Sequence, residues 1–359
     1  MKPWISLLQR HWRQFWFEPS TPFNLAFCRA LFFGSLLLYY IQTDFSEWAE
    51  IDNFFWKPIW LFSRFQLPLL SKDQLEIVQL VWKAALGLSC IGLLTRPSTV
   101  VSFVLGTYIL AVRHNFGKIS HEDAILVFVL GIMAISRCGD GLSIDRLLSR
   151  PRKSEVPPLI PPIMSGEYTW PIRTVWLVTA IIFFAAGVSK IMKTGMEWVI
   201  SDNMSILLIQ FDYRNSPLTS WGFYIARYGW ICQILAAATI IFETGFPLAL
   251  LSRKARWIIV PVMASIQLWI QILMGIYFTQ FMIVYVFWIS WNRVDNIVRF
   301  AAVIGLVMFL RPDWADKLAG IAGIGSSVEL IIYLGLSGFA FLSLIYYAAR
   351  GVWKPLKQT

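Results

Sequence analysis

Charge, cysteine and histidine are all scarce in this chain. Of its 359 residues only 14% are charged, four are cysteine and three are histidine. A soluble domain carries roughly a quarter charged residues, so a water-solvated surface of ordinary make-up is excluded. Cys28, Cys90, Cys138 and Cys232 form no CxxC and stand at no Cys/His metal spacing. That argues against a zinc site or a disulfide framework and leaves them as small apolar residues. No polar basic face interleaved with aromatics accompanies the net charge of +10, so the charge does not point to nucleic acid. The opening "MKPWISLLQRHWRQFW" has neither a continuous apolar core nor a small-residue cleavage site, and is not expected to be a cleaved signal peptide.

What is present is apolar surface. Hydrophobic residues make up 57% of the chain, with 27 Phe and 18 Trp, and the mean hydropathy is +0.61. Aromatic rings favour the membrane–water interface, so the excess fits belts at both surfaces of a bilayer. The fold class expected is all-α: a polytopic integral membrane helical bundle. A crossing needs roughly 20 apolar residues. Runs that qualify lie at 22–42, 75–94, 97–112, 123–136, 173–191, 229–251, 257–278 and 328–348. Shorter runs at 281–291 and 297–310 either span with their flanks or form a re-entrant pair. Eight to ten transmembrane helices follow, and ten is preferred. Ahead of them, in residues 1–21, Trp4, Leu8, Trp12 and Phe15 recur at helical spacing opposite Arg10, Arg13 and Gln14, which predicts an interfacial amphipathic helix.

With ten spans and a cytoplasmic N-terminus, eighteen of the 31 Lys and Arg fall inside and eleven outside, while Arg29 and Lys83 lie within spans. This bias agrees with the positive-inside rule. The expected location is the plasma membrane, the inner one if the source is bacterial. The proline-rich stretch "RPRKSEVPPLIPPIM" reads as an extended cytoplasmic linker between two helix groups.

Ionisable groups inside spans are costly and usually face a bundle interior or a cavity. Arg29 has two readings, snorkelling from the cytoplasmic end or an interior, anion-pairing role. Lys83 shares a helix face with Gln79, four residues away, which suggests a polar stripe toward the bundle, more readily structural than catalytic. Glu243, in "TIIFETGFPLALL", sits mid-helix and must be protonated or paired; Gly245 and Pro247 are expected to bend that helix. Gln267 and Gln271 stack on one face and are candidates to line a cavity. Lys190, in "FFAAGVSK", closes an apolar run near Phe184, Ala186 and Trp198. Either it snorkels, or it is a partly desolvated amine able to act as a general base. His121 leads the preceding span, antiparallel to that of Lys190, so the ten-span arrangement brings the two to one outward-facing chamber. Its bland reading is a polar helix start beside Ser120, Glu122 and Asp123.

Five stretches carry a resemblance. They are "AFCRALFFGSLLLYY", "GLLTRPST", "SHEDAILVFVLGIMAISRCGDGLSIDRLL", "IIFFAAGVSKIMKTGMEW" and "FETGFPLALL". In that order, over residues 17–291, they are similar to the vitamin K-dependent gamma-carboxylases and the horizontally transferred transmembrane (HTTM) domain proteins. Residues 292–359 would add C-terminal helices and a short basic tail. The resemblance implies Lys190 as the base that deprotonates a reduced quinone of the vitamin K type, and His121 as an assistant at a substrate glutamate. In the carboxylases oxygen then adds, an epoxide forms, and the strong base produced prepares the glutamate to capture carbon dioxide. Two departures are visible. The large lumenal region that grips the peptide is missing, so peptide carboxylation is not expected. The 257–278 helix also carries no histidine.

Three functions compete: a quinol- or lipid-linked enzyme using Lys190 and His121, a non-catalytic lipid- or quinone-binding or transport-associated protein, and a transporter with Glu243 and Lys83 as a relay. Apart from the lipid bilayer and a quinone or lipid ligand, no partner is implied, and no metal.

Overall fold

The computed structural model describes residues 3–117, 122–149, 160–215, 217–311, 313–314 and 330–339. Among the described residues no strand forms, and Ser20 and Ser165 pair as an isolated bridge. The principal helices are α1 (Pro3–Phe17), α2 (Phe23–Tyr40), α3 (Lys72–Ile91), α4 (Thr95–Val112), α5 (Glu122–Ile135), α6 (Ile144–Leu148), α7 (Trp170–Thr194), α8 (Asn203–Asn215), α9 (Gly229–Gly245), α10 (Arg253–Met274) and α11 (Asn296–Leu310).

Among the described residues, five helical segments are long and apolar enough to cross a membrane: Phe23–Tyr40, Lys72–Ile91, Thr95–Phe116, Gly166–Thr194 and Arg253–Met274. Gly229–Gly245, Thr279–Trp288, Asn296–Leu310 and Leu330–Phe339 are apolar but shorter. The expected run at 229–251 is interrupted, because α9 ends at Gly245 and a short helix, Leu248–Leu251, restarts only after Pro247. The 281–291 run tightens into a 3-10 turn at Tyr285–Trp288 instead of continuing as an α-helix. The expected span at 328–348 lies partly outside the described residues. In the other direction, α8 was not anticipated: its 13 residues mix Asp, Arg, Gln and Asn with apolar ones, and no hydrophobic run marks it.

Two compact units emerge: residues 1–175 with 283–310, and residues 176–282 with 311–359. In the first, α2, α3, α4 and α5 pack each against the next, and α11 lies on α2. In the first half of α4, burial is inverted relative to a water-soluble bundle. Helix α4 buries Thr95, Ser98, Thr99, Ser102 and Gly106 and exposes Val100, Val101 and Val104. The hydroxyls of Ser89, Ser98 and Ser102 join at 3.1 and 3.3 Å inside. Small and hydroxylated residues at helix contacts, with aliphatic side chains outside, are what hydrocarbon selects, since lipid offers no hydrophobic drive between helices.

Arg29 ties this unit together. Its residue is 0% exposed, and its guanidinium donates to the carbonyls of Cys138 (3.1 Å), Cys90 (3.4 Å) and Leu142 (2.6 Å). The interior reading of Arg29 holds, with backbone carbonyls as its acceptors. Just beyond Cys90, α3 ends at Gly92 in the left-handed region (φ +70°). A Cβ there would fall 2.5 Å from Ser143 Cβ and 2.7 Å from Arg29 Nη1, so only glycine permits both the turn and the guanidinium. The Asp145 carboxylate accepts the Leu94 and Thr95 amides, both at 2.7 Å, and so caps α4 from a distance in sequence. Lys83 donates to the Ile41 and Thr43 carbonyls, and Gln79 binds Asp44 and the Phe45 amide. That polar stripe therefore caps the end of α2 and is structural.

In the second unit, α8, α9 and α10 contact one another, and Phe183 stacks near Phe246 (4.6 Å) and Phe281 (5.1 Å). Gln267 and Gln271 are buried at 2% and 1% exposure. Gln271 donates to the Tyr333 hydroxyl at 2.5 Å, which makes it a helix–helix tie.

Burial pushes the Asp145 carboxyl up, but the Thr95 and Leu94 amides outweigh it and hold the group below its ordinary 3.8. A carboxyl whose folded value is depressed stabilises fully above its unfolded value and loses that contribution as pH falls through the folded one. Unfolding midpoints measured in detergent from about pH 5 to about pH 2 should therefore drop less steeply in Asp145→Asn than in the parent protein.

Candidate functional site

The second unit holds a part-buried ion pair made by two of the candidate residues. Lys190, on α7, and Glu243, on α9, are 53 residues apart, yet Lys190 Nζ lies 2.6 Å from Glu243 Oε1 and also contacts Oε2. Their side chains are 22% and 9% exposed.

Close approach of two helix backbones creates the pair. Gly187 stands one turn before Lys190, and a Cβ there would meet Thr244 Cγ2 at 2.7 Å, the Thr244 amide at 2.9 Å and Glu243 Cβ at 3.0 Å. A side chain at 187 would force the helices apart and move the amine from the carboxylate. Farther along, Gln233 donates to the Ile200 carbonyl at 3.2 Å.

Beyond the helix end, Gly195 takes φ +60° and the short helix Glu197–Ile200 returns Trp198. The Lys190 ammonium sits 5.5 Å from the Trp198 ring centroid, within the range of a cation–π contact. Trp198 Nε1 is buried with no hydrogen-bond partner. Phe184, expected to help shelter the amine, is 46% exposed. The groups beside the amine are thus a carboxylate and an indole.

The chemistry available is proton exchange. Transfer of one proton from Nζ to the carboxylate converts the ion pair into a neutral amine and a carboxylic acid without changing net charge, an exchange a low-dielectric site tolerates far better than creation of a lone charge. The sequence singled out both residues but did not pair them; only their shared helical neighbours could have suggested it. Glu243 and Lys83 do not pair here: the acid is held by Lys190 and the Lys83 amine by carbonyls.

His121 lies outside the described residues. Among the described residues, His114 is a buried histidine that the sequence did not single out. It is 7% exposed, and its Nε2 meets Asp123 Oδ2 at 2.9 Å. Arg113 also pairs with that oxygen, and the Tyr40 hydroxyl reaches Oδ1 at 3.4 Å. This cluster belongs to the first unit. The rarity of histidine was a usable signal for His114, and it was spent on its neighbour in sequence. No group of three or more His, Cys, Asp or Glu suited to a metal occurs among the described residues.

Comparison with protein-family models, characterised proteins and solved structures returns no match.

A buried pair is costly to break and cheap to remove as a whole. Glu243→Leu alone should lower stability by about 3–5 kcal/mol, whereas Lys190→Leu with Glu243→Leu should recover most of that loss. Denaturation of all four cycle members in one detergent reads the coupling.

Proposed function

We propose that this chain is a multi-pass membrane protein of the HTTM type, with its N-terminus in the cytoplasm, and that Lys190 and Glu243 form a proton-accepting centre for a hydrophobic acidic substrate such as a reduced quinone. The observation that carries this reading is the Lys190–Glu243 contact, because a lysine that must accept a proton in an apolar setting needs an adjacent group to hold the one it already has. The inverted burial in the first half of α4 and the five long apolar helices support the membrane setting.

The residues fit a quinol-like group in a specific respect. Trp198 Nε1 is a buried donor without an acceptor, next to the one side of the ammonium that an aromatic face covers. A substrate oxygen would satisfy that donor while lying within reach of Nζ. When bound, a reduced quinone supplies a weakly acidic ring hydroxyl. Glu243 takes a proton from Nζ, the amine accepts the hydroxyl proton, and the resulting ammonium remains against its carboxyl partner. Trp198 orients the oxygen by its N–H and shields the amine from water.

Membranes or purified protein supplied with phylloquinol under air test the idea, with quinol consumption followed by chromatography. Lys190→Ala and Lys190→Arg are both expected to lose turnover by about 100-fold or more, since arginine keeps the charge but does not give up its proton. Quinol consumption unchanged in Lys190→Ala, or absent in the parent protein, overturns the enzymatic reading. Full quinol consumption in Lys190→Arg removes Lys190 from the role of proton acceptor.

A further inference from the structure

A polar concavity lies in the first unit, on residues that the Lys190 centre does not involve. It is a cleft of about 460 Å³ between the start of α4 and the chain from Ser136 to Ser149, with residues 161–168 closing one side. That volume falls in the usual range for small-ligand sites. Three arginines line it, Arg96, Arg137 and Arg146.

Their counter-charges are unevenly distributed. Arg137 pairs with Asp140 at 2.8 Å, and Asp140 also accepts the Tyr168 hydroxyl. Asp145 is occupied by the Leu94 and Thr95 amides. Arg96 and Arg146 have no carboxylate within ion-pair distance among the described residues. Among the described residues, Arg146 Nε is buried with no hydrogen-bond partner. A buried guanidinium nitrogen without an acceptor is rare, and at the wall of a cleft it marks the place of an absent acceptor.

The rim has the opposite character. Leu94 is 60% exposed although it takes a left-handed φ of +48°, and Ile163 is 53% exposed. Two unpaired guanidinium groups beside solvent-facing aliphatic side chains match an anionic head on an apolar tail. The sequence leaving the cleft continues with Arg150, Arg152 and Lys153, and clustered basic residues next to a span attract anionic lipid.

We propose that this cleft binds a phosphate-bearing anion through Arg96 and Arg146: the headgroup of an anionic phospholipid, or free phosphate. Forked guanidinium donors suit phosphate oxygens, and the anion would satisfy the Arg146 nitrogen now without an acceptor.

The test uses the full-length protein in neutral detergent micelles, with thermal unfolding followed during titration by phosphatidylglycerol, by phosphatidylcholine, and by sodium phosphate at constant ionic strength. Phosphatidylglycerol is expected to raise the midpoint saturably, and Arg96→Gln or Arg146→Gln to raise its half-saturating concentration by about tenfold. Arg96 is exposed, so its variant folds even if Arg146→Gln does not. A phosphatidylglycerol effect without a sodium phosphate effect identifies a lipid headgroup, and an equal effect of sodium phosphate identifies the free ion. The proposal fails if phosphatidylcholine acts as strongly as phosphatidylglycerol, if both arginine variants respond like the parent protein, or if neither anion shifts the midpoint.

Discussion

A guanidinium shut away from water is the constraint around which the first unit is arranged. Arg29 is fully covered, and a charge so placed is tolerable only when donors meet acceptors inside the protein. The acceptors come from the end of α3 and from the loop after α5, so one side chain of α2 fixes three segments. Gly92 is required because the guanidinium occupies the space a side chain would take. Asp145, in α6 just beyond that loop, then caps α4. The stretches "FCRALFFG", "GLLTRPST" and "GLSIDRLL" are far apart in sequence and form one hydrogen-bonded junction.

The second unit applies the same rule to a pair of opposite charges. A lone carboxylate on α9 or a lone amine on α7 would be expensive, while the two together are tolerated and can exchange a proton. Proximity depends on Gly187, whose missing side chain lets the helices touch. Packing and chemistry are therefore inseparable at this site. The missing side chain at Gly187 also sets how closely the amine and the carboxylate approach.

Helices α2, α3, α4, α7 and α10 were legible because a crossing needs a long apolar run, and such runs are visible in one dimension. Their ends were less visible: the expected 75–94 run starts and stops three residues late, because Ser71 and Gln74 form the capping box of α3 and Gly92 closes it. Less legible were segments whose character depends on neighbours. Helix α8 has low hydrophobicity because only part of it is buried, chiefly at Leu208. The 281–291 run is apolar enough to span, yet Phe281, Ile283, Val286 and Phe287 are buried within the protein, so their hydrophobicity reports packing. Lys83 read as an intramembrane charge, although its long stem simply delivers the ammonium to the end of α2.

The sequence by itself determined that this chain is helical and apolar, and which polar residues had no business in hydrocarbon without partners: Arg29, Lys83, Lys190, Glu243, Gln267 and Gln271. Burial cost is a property of the residue type and needs no coordinates. Who meets whom was settled only by the tertiary structure. Lys190 finds Glu243, Arg29 finds three carbonyls and Gln271 finds Tyr333, because pairing over tens of residues depends on how closely and in which direction helices pack, and small residues such as Gly187 reveal that closeness only when the opposing backbone is in place.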